Sequence, residues 1–203
     1  MKRAIFLLLI GLCLIATAQS AQFSGDVGAA RRASAALRNS FCLENKADAD
    51  CQVDAVRVID DWAWFTWVMG EAGGVAIVHR QQGGWKILYS TGGWITPHDP
   101  EVAKVVPQAV AEILIPFGWM LNIQDIHRAI NPSDLQDLDA WELLVMRNSI
   151  YASHGRPFTN PRLRAYFESW PWYHVDPNYS DATLTPIDKA NVELILRAER
   201  RLK

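Results

Sequence analysis

The chain has few cysteines, no excess of basic charge and, after its first residues, no long apolar run. Only 3 of its 203 residues are Cys, so a scaffold held by many disulfides is excluded. It has 20 Lys and Arg against 22 Asp and Glu, and no basic stripe stands out, so we expect no nucleic-acid partner. No stretch after residue 15 is apolar enough to span a membrane, so we expect no membrane span in the mature chain.

The first residues follow the plan of a secretory signal peptide. Lys2 and Arg3 form a positive patch, residues 4–15 carry no charge, and Ala16-Thr17-Ala18 offers a cleavage site. The apolar run of about 12 residues is shorter than the ~20 that cross a bilayer. Cys13 follows Leu12 instead of a small residue, which argues against a lipoprotein. We expect residues 1–18 to be removed and the mature protein to be periplasmic or secreted.

Export leaves two cysteines in the mature chain, Cys42 and Cys51. An even number of cysteines in an oxidising compartment predicts one disulfide between them. On the loop-entropy model, a bridge that closes a loop of about ten residues stabilises the fold by roughly 2.5–3 kcal/mol.

Residues 23–118 have the pattern of an α+β domain. Apolar residues at helical spacing predict a helix from about Val27 to Phe41, capped by Asp26. The period then changes to two in four short runs, 53–59, 62–69, 74–80 and 85–90, which turn residues separate. Such short connections make neighbouring strands antiparallel. We predict a four-stranded antiparallel meander with helices on one face, including a helix over residues 108–115.

Three tryptophans lie on the second predicted strand. Alternation places Trp62 and Trp64 on the face opposite Trp67. One face packs on the predicted helices, and the other needs a cover. The C-terminal helices, the segment around Trp119, a second copy of the chain and a ligand all remain open as that cover.

Residues 119–137 are neither low-complexity nor polar, which indicates a packed connector. Residues 138–203 then predict a small three-helix bundle. Asp139 and Glu142 form a capping box, and Gly155 stands where a left-handed helix stop is needed. Asn160 with Pro161 starts the second helix, and Thr185 with Pro186 and Asp188 starts the third.

The last seventy residues resemble the YARHG domain, a small module of exported bacterial proteins named for a Tyr-Ala-Arg-His-Gly motif. The resemblance runs from about Leu138 to Glu199 and rests on Arg147-Asn148-Ser149-Ile150-Tyr151-Ala152-Ser153-His154-Gly155, Phe158, Leu163, Tyr166-Phe167, Trp172-Tyr173 and Asn191. Ser153 departs from the motif, which has Arg there. The resemblance implies an extracytoplasmic helical module that is often appended to other domains, and it implies no particular chemistry.

No complete catalytic or metal-binding motif is found. The G-x-S-x-G and S-x-x-K patterns are missing, and a disulfide would occupy both mature cysteines. H-E-x-x-H is absent, and the close His and carboxylate pairs are His98-Asp99 and His174-x-Asp176. The other histidines, His79, His127 and His154, are too scattered to assign. We therefore predict no catalytic residue, no metal site and no cofactor.

The candidate binding residues are Trp170, Trp172 and Tyr173 in an aromatic loop, with Tyr151 and His154 of the motif. Exposed aromatics bind sugars and peptides, but the same residues can staple a small bundle, and we prefer packing as the first interpretation. We predict a non-enzymatic exported binding protein of the cell envelope, with an envelope protein or peptidoglycan as partner. The alternatives are an envelope hydrolase with its site between the two domains, and an inhibitor or immunity-like module.

Overall fold

A computed structural model describes residues 27–44, 50–118 and 126–202. Six α-helices and four strands follow one another along these residues. In order they are α1 (Val27–Glu44), β1 (Cys51–Ile59), β2 (Trp62–Met69), β3 (Ala72–Gln81), β4 (Gly84–Thr91), α2 (Pro100–Ala103), α3 (Gln108–Leu114), α4 (Ala140–Ser153), α5 (Pro161–Glu168) and α6 (Pro186–Arg201). Two 3₁₀ turns, Pro132–Leu135 and Asp181–Thr183, precede α4 and α6. The predicted signal peptide, Asp26 and Trp119 lie outside the described residues.

The four strands form one antiparallel sheet in the order β1-β2-β3-β4, as the alternating pattern predicts. Each strand pairs with the next through a short turn, and the register runs Ile59 opposite Trp62 and Gln81 opposite Gly84. The strands at the two edges are therefore β1 and β4. The predicted α+β class and meander are confirmed.

One face of the sheet is covered by α1. Ala30, Ala33, Leu37 and Phe41 recur at helical spacing and pack on the inward residues of the strands, among them Phe65, Trp67, Ala76 and Val78. The Phe41 ring lies edge-on to that of Phe65 with centroids 5.3 Å apart. The predicted Cys42–Cys51 disulfide is present and joins α1 to the start of β1.

The opposite face is covered by helices from later in the chain, which answers the question that the tryptophan pattern leaves open. Trp64 is fully buried on this face and shares a core with α2, α3, α4 and α5. Val110 and Leu114 of α3 and Tyr166 of α5 belong to that core. Trp62 is only half-buried, and its ring contacts that of His79 with the centroids 4.3 Å apart and the planes tilted by 39°. The hydrophobic core therefore continues from the sheet into the C-terminal helices.

The C-terminal helices begin at the predicted positions. Asp139 accepts from the Glu142 N–H in a capping box, the Asn160 side chain caps α5, and Thr185 caps α6. Gly155 follows α4 with φ +83°. A separate apolar core between α4, α6 and the first 3₁₀ turn includes Ile150 and Ile195. Within the described ranges, no helix is both long and apolar enough to cross a membrane.

Candidate functional site

A groove of about 460 Å³ runs along the outer edge of β1. Residues 53–57 of β1 form its floor, α1 forms one wall, and Trp170, Pro171 and Trp172 form the other. Successive strand residues point to opposite faces, so a cavity lined by five consecutive residues lies along the strand's edge. We call this cavity the edge groove.

The floor of the edge groove contains a β-bulge. The pairing of β1 with β2 shifts register between Asp54 and Arg57, and Ala55 has φ +47°. The extra residue changes which side chains point inward, so Arg57, and not Val56, lies on the same face as Trp64. The bulge thus delivers a charged side chain to the core beneath the groove.

Arg57 is only 1% exposed and is held by the ends of two helices. Its guanidinium donates to the carbonyl oxygens of Leu114 at 2.9 Å and Ile113 at 2.8 Å. These carbonyls lie at the end of α3, where the helix itself supplies no N–H donor for them. The guanidinium also donates to the Ser169 hydroxyl at 2.7 Å, just after α5. The guanidinium carbon lies 4.5 Å from the centroid of the Trp170 ring.

Burial lowers the pKa of Arg57 to about 10, so the side chain remains charged at neutral pH. Sequence reasoning did not single this residue out. A signal was present, because Arg57 stands two residues before the buried Ile59, and in the part of β1 that follows the bulge alternation places both on one face.

The three aromatic residues predicted for binding lie together but differ in exposure. Trp170 is 6% exposed and covers Arg57, whereas Trp172 is half-buried beside it, with ring centroids 6.2 Å apart. Tyr173 is 6% exposed, and its hydroxyl donates to the Arg156 carbonyl at 2.7 Å. Of the three, Trp172 presents the most surface to the edge groove, and Tyr173 packs inside the bundle.

The two motif residues, Tyr151 and His154, face different neighbours. Tyr151 is half-buried beneath the Arg156 guanidinium, whose central carbon is 4.6 Å from the ring centroid. His154 donates from Nε2 to Asp188 Oδ2 at 3.0 Å. Neither residue lines the edge groove.

Asp188 joins His154 to a second histidine that sequence reasoning left unassigned. His127 Nδ1 lies 3.1 Å from the other oxygen of the same carboxylate, and the two imidazole rings are 5.8 Å apart. Burial alone would raise the pKa of Asp188, but hydrogen bonds from Thr185, His127 and His154 outweigh it and leave that pKa below its usual value. No spacing rule brings these residues together, because His127 lies 61 positions from Asp188.

A further histidine and carboxylate pair lies at the surface. His98 Nε2 is 2.7 Å from Asp139 Oδ2, and its Nδ1 is 3.0 Å from the Gln108 amide. Both ring nitrogens are therefore occupied, which leaves neither to activate a nucleophile. The cavity beside the pair, about 410 Å³ between Glu112, Trp141 and Arg162, is shallow and open, unlike the deep cleft expected of a hydrolase.

Another cavity, of about 420 Å³, lies between α4, α6 and the first 3₁₀ turn. Among the described residues, its walls are mainly Leu side chains with Arg197 and Arg201, and none of these described lining residues is aromatic. Aromatic residues dominate binding energy in protein recognition, so the edge groove is the stronger candidate binding site.

Comparison with known proteins identifies one part of the chain. Neither a curated protein nor a solved structure matches this chain. A family model does match, over residues 120–200, and no family model matches the N-terminal region. The matched segment begins before the resemblance seen from position 138 and takes in His127 together with His154 and Asp188. The model that matches residues 120–200 is that of the YARHG domain.

Proposed function

We propose that this is a non-enzymatic, exported binding protein of the bacterial cell envelope, and that its edge groove holds a short extended segment of an envelope protein. The single observation that carries the proposal is the groove itself, an edge strand flanked by a partly buried tryptophan and a helix. YARHG domains occur in extracellular proteins, and the Cys42–Cys51 disulfide suits an oxidising compartment.

The choice of a peptide follows from the floor of the groove. An edge strand can accept an extended segment by main-chain hydrogen bonds, while neighbouring pockets select its side chains. The bulge at Ala55 limits the regular length of this edge, so we expect a segment of only a few residues. Arg31 and Asp54 line the groove with opposite charges, which favours a peptide of mixed polarity over a strongly charged one.

A glycan is the second candidate ligand, because a half-exposed tryptophan also stacks on sugar rings. Trp172 supports this reading as well as the peptide reading. The two differ in what the strand edge contributes, since only a peptide uses the main-chain groups of β1. The hydrolase alternative lacks a comparable observation. In the inhibitor alternative, the disulfide-bonded sheet would present a loop to a toxin or protease, and the groove would not be the binding surface.

The proposal is tested with the mature protein, residues 19–203. Random-peptide display selects ligands, and their affinities are measured by Trp fluorescence or calorimetry. We expect Trp172→Ala to weaken binding of a selected peptide at least about tenfold, which is 1.4 kcal/mol, since central aromatics contribute most of the binding energy. The matched control is Trp94→Ala, which removes a tryptophan that is 41% exposed and does not line the groove.

Purified sacculi are assayed in parallel. Retention on sacculi that Trp172→Ala abolishes, without any peptide selected, would replace the peptide by a glycan. If the mature protein selects no peptide and is not retained on sacculi, or if Trp94→Ala reduces binding as much as Trp172→Ala, the edge groove is not the binding site.

A further inference from the structure

Two imidazoles and one carboxylate converge inside the YARHG domain. The ligand atoms offered by His127, His154 and Asp188 all lie within 4.8 Å of one another. They come from three separate segments: the chain after residue 125, the end of α4 and the first turn of α6. We call them the His-Asp-His cluster.

We propose that the His-Asp-His cluster is a Zn²⁺ site, with His127 Nδ1, His154 Nε2 and an Asp188 oxygen as its three protein ligands. Imidazole nitrogen and carboxylate oxygen are ordinary zinc ligands, and three protein ligands leave the fourth tetrahedral position to water. This inference is independent of the edge groove, which none of the three residues lines.

The spacing of the cluster suits an ion of this size. Zinc bonds of about 2.0–2.1 Å place tetrahedral ligand atoms roughly 3.4 Å apart. Each histidine nitrogen already lies 3.0–3.1 Å from one oxygen of the Asp188 carboxylate, and one ligand atom from each of the three residues lies within 4.8 Å of the others. Bringing the ligand atoms to the tetrahedral separation needs a movement of about 1 Å, which the two partly exposed rings can make.

Asp188 is held as a ligating carboxylate needs to be held. It is fully buried, and its Oδ2 accepts from the Thr185 N–H at 2.9 Å and the Thr185 hydroxyl at 2.7 Å. Such outer hydrogen bonds orient a metal-binding carboxylate and raise affinity. The side chains of His127 and His154 are 33% and 20% exposed, so an ion can reach the cluster from solvent.

The segment that carries His127 is also fixed in place. The Asn191 side chain of α6 donates to the carbonyls of Ile126 and Arg128 and accepts from the Ile130 N–H at 3.0 Å. His127 is therefore presented to α6 by a segment that has little freedom to leave. Zinc would add a further link among three segments that hydrogen bonds already join.

Binding exchanges protons for metal. In the metal-free protein His127 Nδ1 and His154 Nε2 donate to Asp188, and in the zinc form each nitrogen gives its lone pair to the ion instead. A neutral ring then carries its proton on the other nitrogen, and a protonated ring releases one proton to solvent. Zinc binding should therefore release protons, and zinc affinity should rise with pH.

The experiment uses the tag-free mature protein after treatment with a chelator. Co²⁺ is titrated while the visible d–d absorption of tetrahedral cobalt is followed, and Zn²⁺ then displaces it. We expect one site per chain, with affinity for Zn²⁺ reduced about 100-fold or more by His127→Gln and by His154→Gln. The matched control, His79→Gln, should bind like the wild type, because His79 stacks on Trp62 in the sheet.

Folding is checked separately by thermal unfolding in chelator. His127→Gln should retain a melting temperature close to that of the wild type, because its ring is partly exposed. Zn²⁺ should raise the melting temperature of the wild type and of His79→Gln only. Absence of tetrahedral bands in the wild type, or equal zinc affinity in folded His127→Gln, would show that the cluster is a hydrogen-bonded joint and not a metal site.

Discussion

At Gly155 the end of α4 meets another segment at close range. Its N–H donates to the Ala152 carbonyl at 2.9 Å, and its own carbonyl accepts from the Asp176 N–H at 2.8 Å. The backbone has φ +83°, and a Cβ built there would lie 2.7 Å from the Asp176 Cβ and 3.1 Å from the His174 carbonyl. Two separate requirements, positive φ and space, therefore favour glycine.

We expect Gly155→Val to destabilise the protein by about 2–4 kcal/mol, because a β-branched residue is strained at positive φ and its Cβ clashes with backbone. The free energy of unfolding is measured in urea. Gly93→Ala is the control, since it has ordinary φ and nothing lies within 4 Å of its added Cβ. An unchanged urea midpoint for Gly155→Val would mean that α4 ends differently from the structure described.

The prediction of individual binding residues was less decisive than the prediction of the helices and strands. Trp170, Trp172 and Tyr173 have the same aromatic character in sequence, yet Trp170 and Tyr173 are buried and Trp172, which lines the edge groove, is only partly buried. Sequence pattern specifies residue type and local geometry, whereas exposure depends on which segment packs on top. Here that segment includes Arg57 of β1, more than a hundred positions away.

Whole elements were predictable because their signals are local. The four strands follow alternating runs and turn residues, and α4, α5 and α6 start at Asp139, Asn160 and Thr185 because capping depends on neighbours within three or four positions. The bulge in β1 was not predicted. It depends on pairing with β2, a contact that the alternation of one strand does not specify.

The disulfide acts between two elements, since Cys42 lies in α1 and Cys51 begins β1. We expect the double variant Cys42→Ala/Cys51→Ala to lose roughly 2.5–3 kcal/mol of unfolding free energy, because the bridge closes a loop of about ten residues in the unfolded chain. Urea unfolding with and without reductant measures the loss.

The double variant is also the control for the reductant itself. Reduction should lower the urea midpoint of the wild type and leave that of the double variant unchanged. Equal midpoints for the oxidised and reduced wild type would show that the bridge contributes nothing to stability.

At the scale of the whole molecule, the sheet and the C-terminal helices share one core, and the residues that join them are far apart in sequence. The described residues of this core come from β1 through the loop after α5, and they lie on both sides of the predicted connector in sequence. The His-Asp-His cluster has the same character, with partners 34 and 61 positions apart. Neither assembly has a sequence signature, because each arises only when separate helices pack.

Arg57 is a buried charged residue that also joins the sheet to the helices. Its guanidinium lies between the end of α3 and the end of α5, and it donates to carbonyls of both. We expect Arg57→Met to cost about 3–5 kcal/mol of unfolding free energy. Methionine fills much of the space but removes the donor to the Ile113 and Leu114 carbonyls, at about 1–3 kcal/mol each.

The stability lost with the Arg57 hydrogen bonds can be distinguished from the stability lost with its charge. Arg57→Lys keeps a cation but has three donors on one nitrogen in place of a planar fork, so we expect it to recover only part of the lost stability. Arg164→Met, on the exposed side of α5, should stay within about 0.5 kcal/mol of the wild type. Urea unfolding is followed by Trp fluorescence and by far-UV circular dichroism. Because Arg57 links the sheet to the helices, the fluorescence and circular-dichroism transitions of Arg57→Met should have different midpoints. Coincident transitions at the wild-type midpoint would contradict this role.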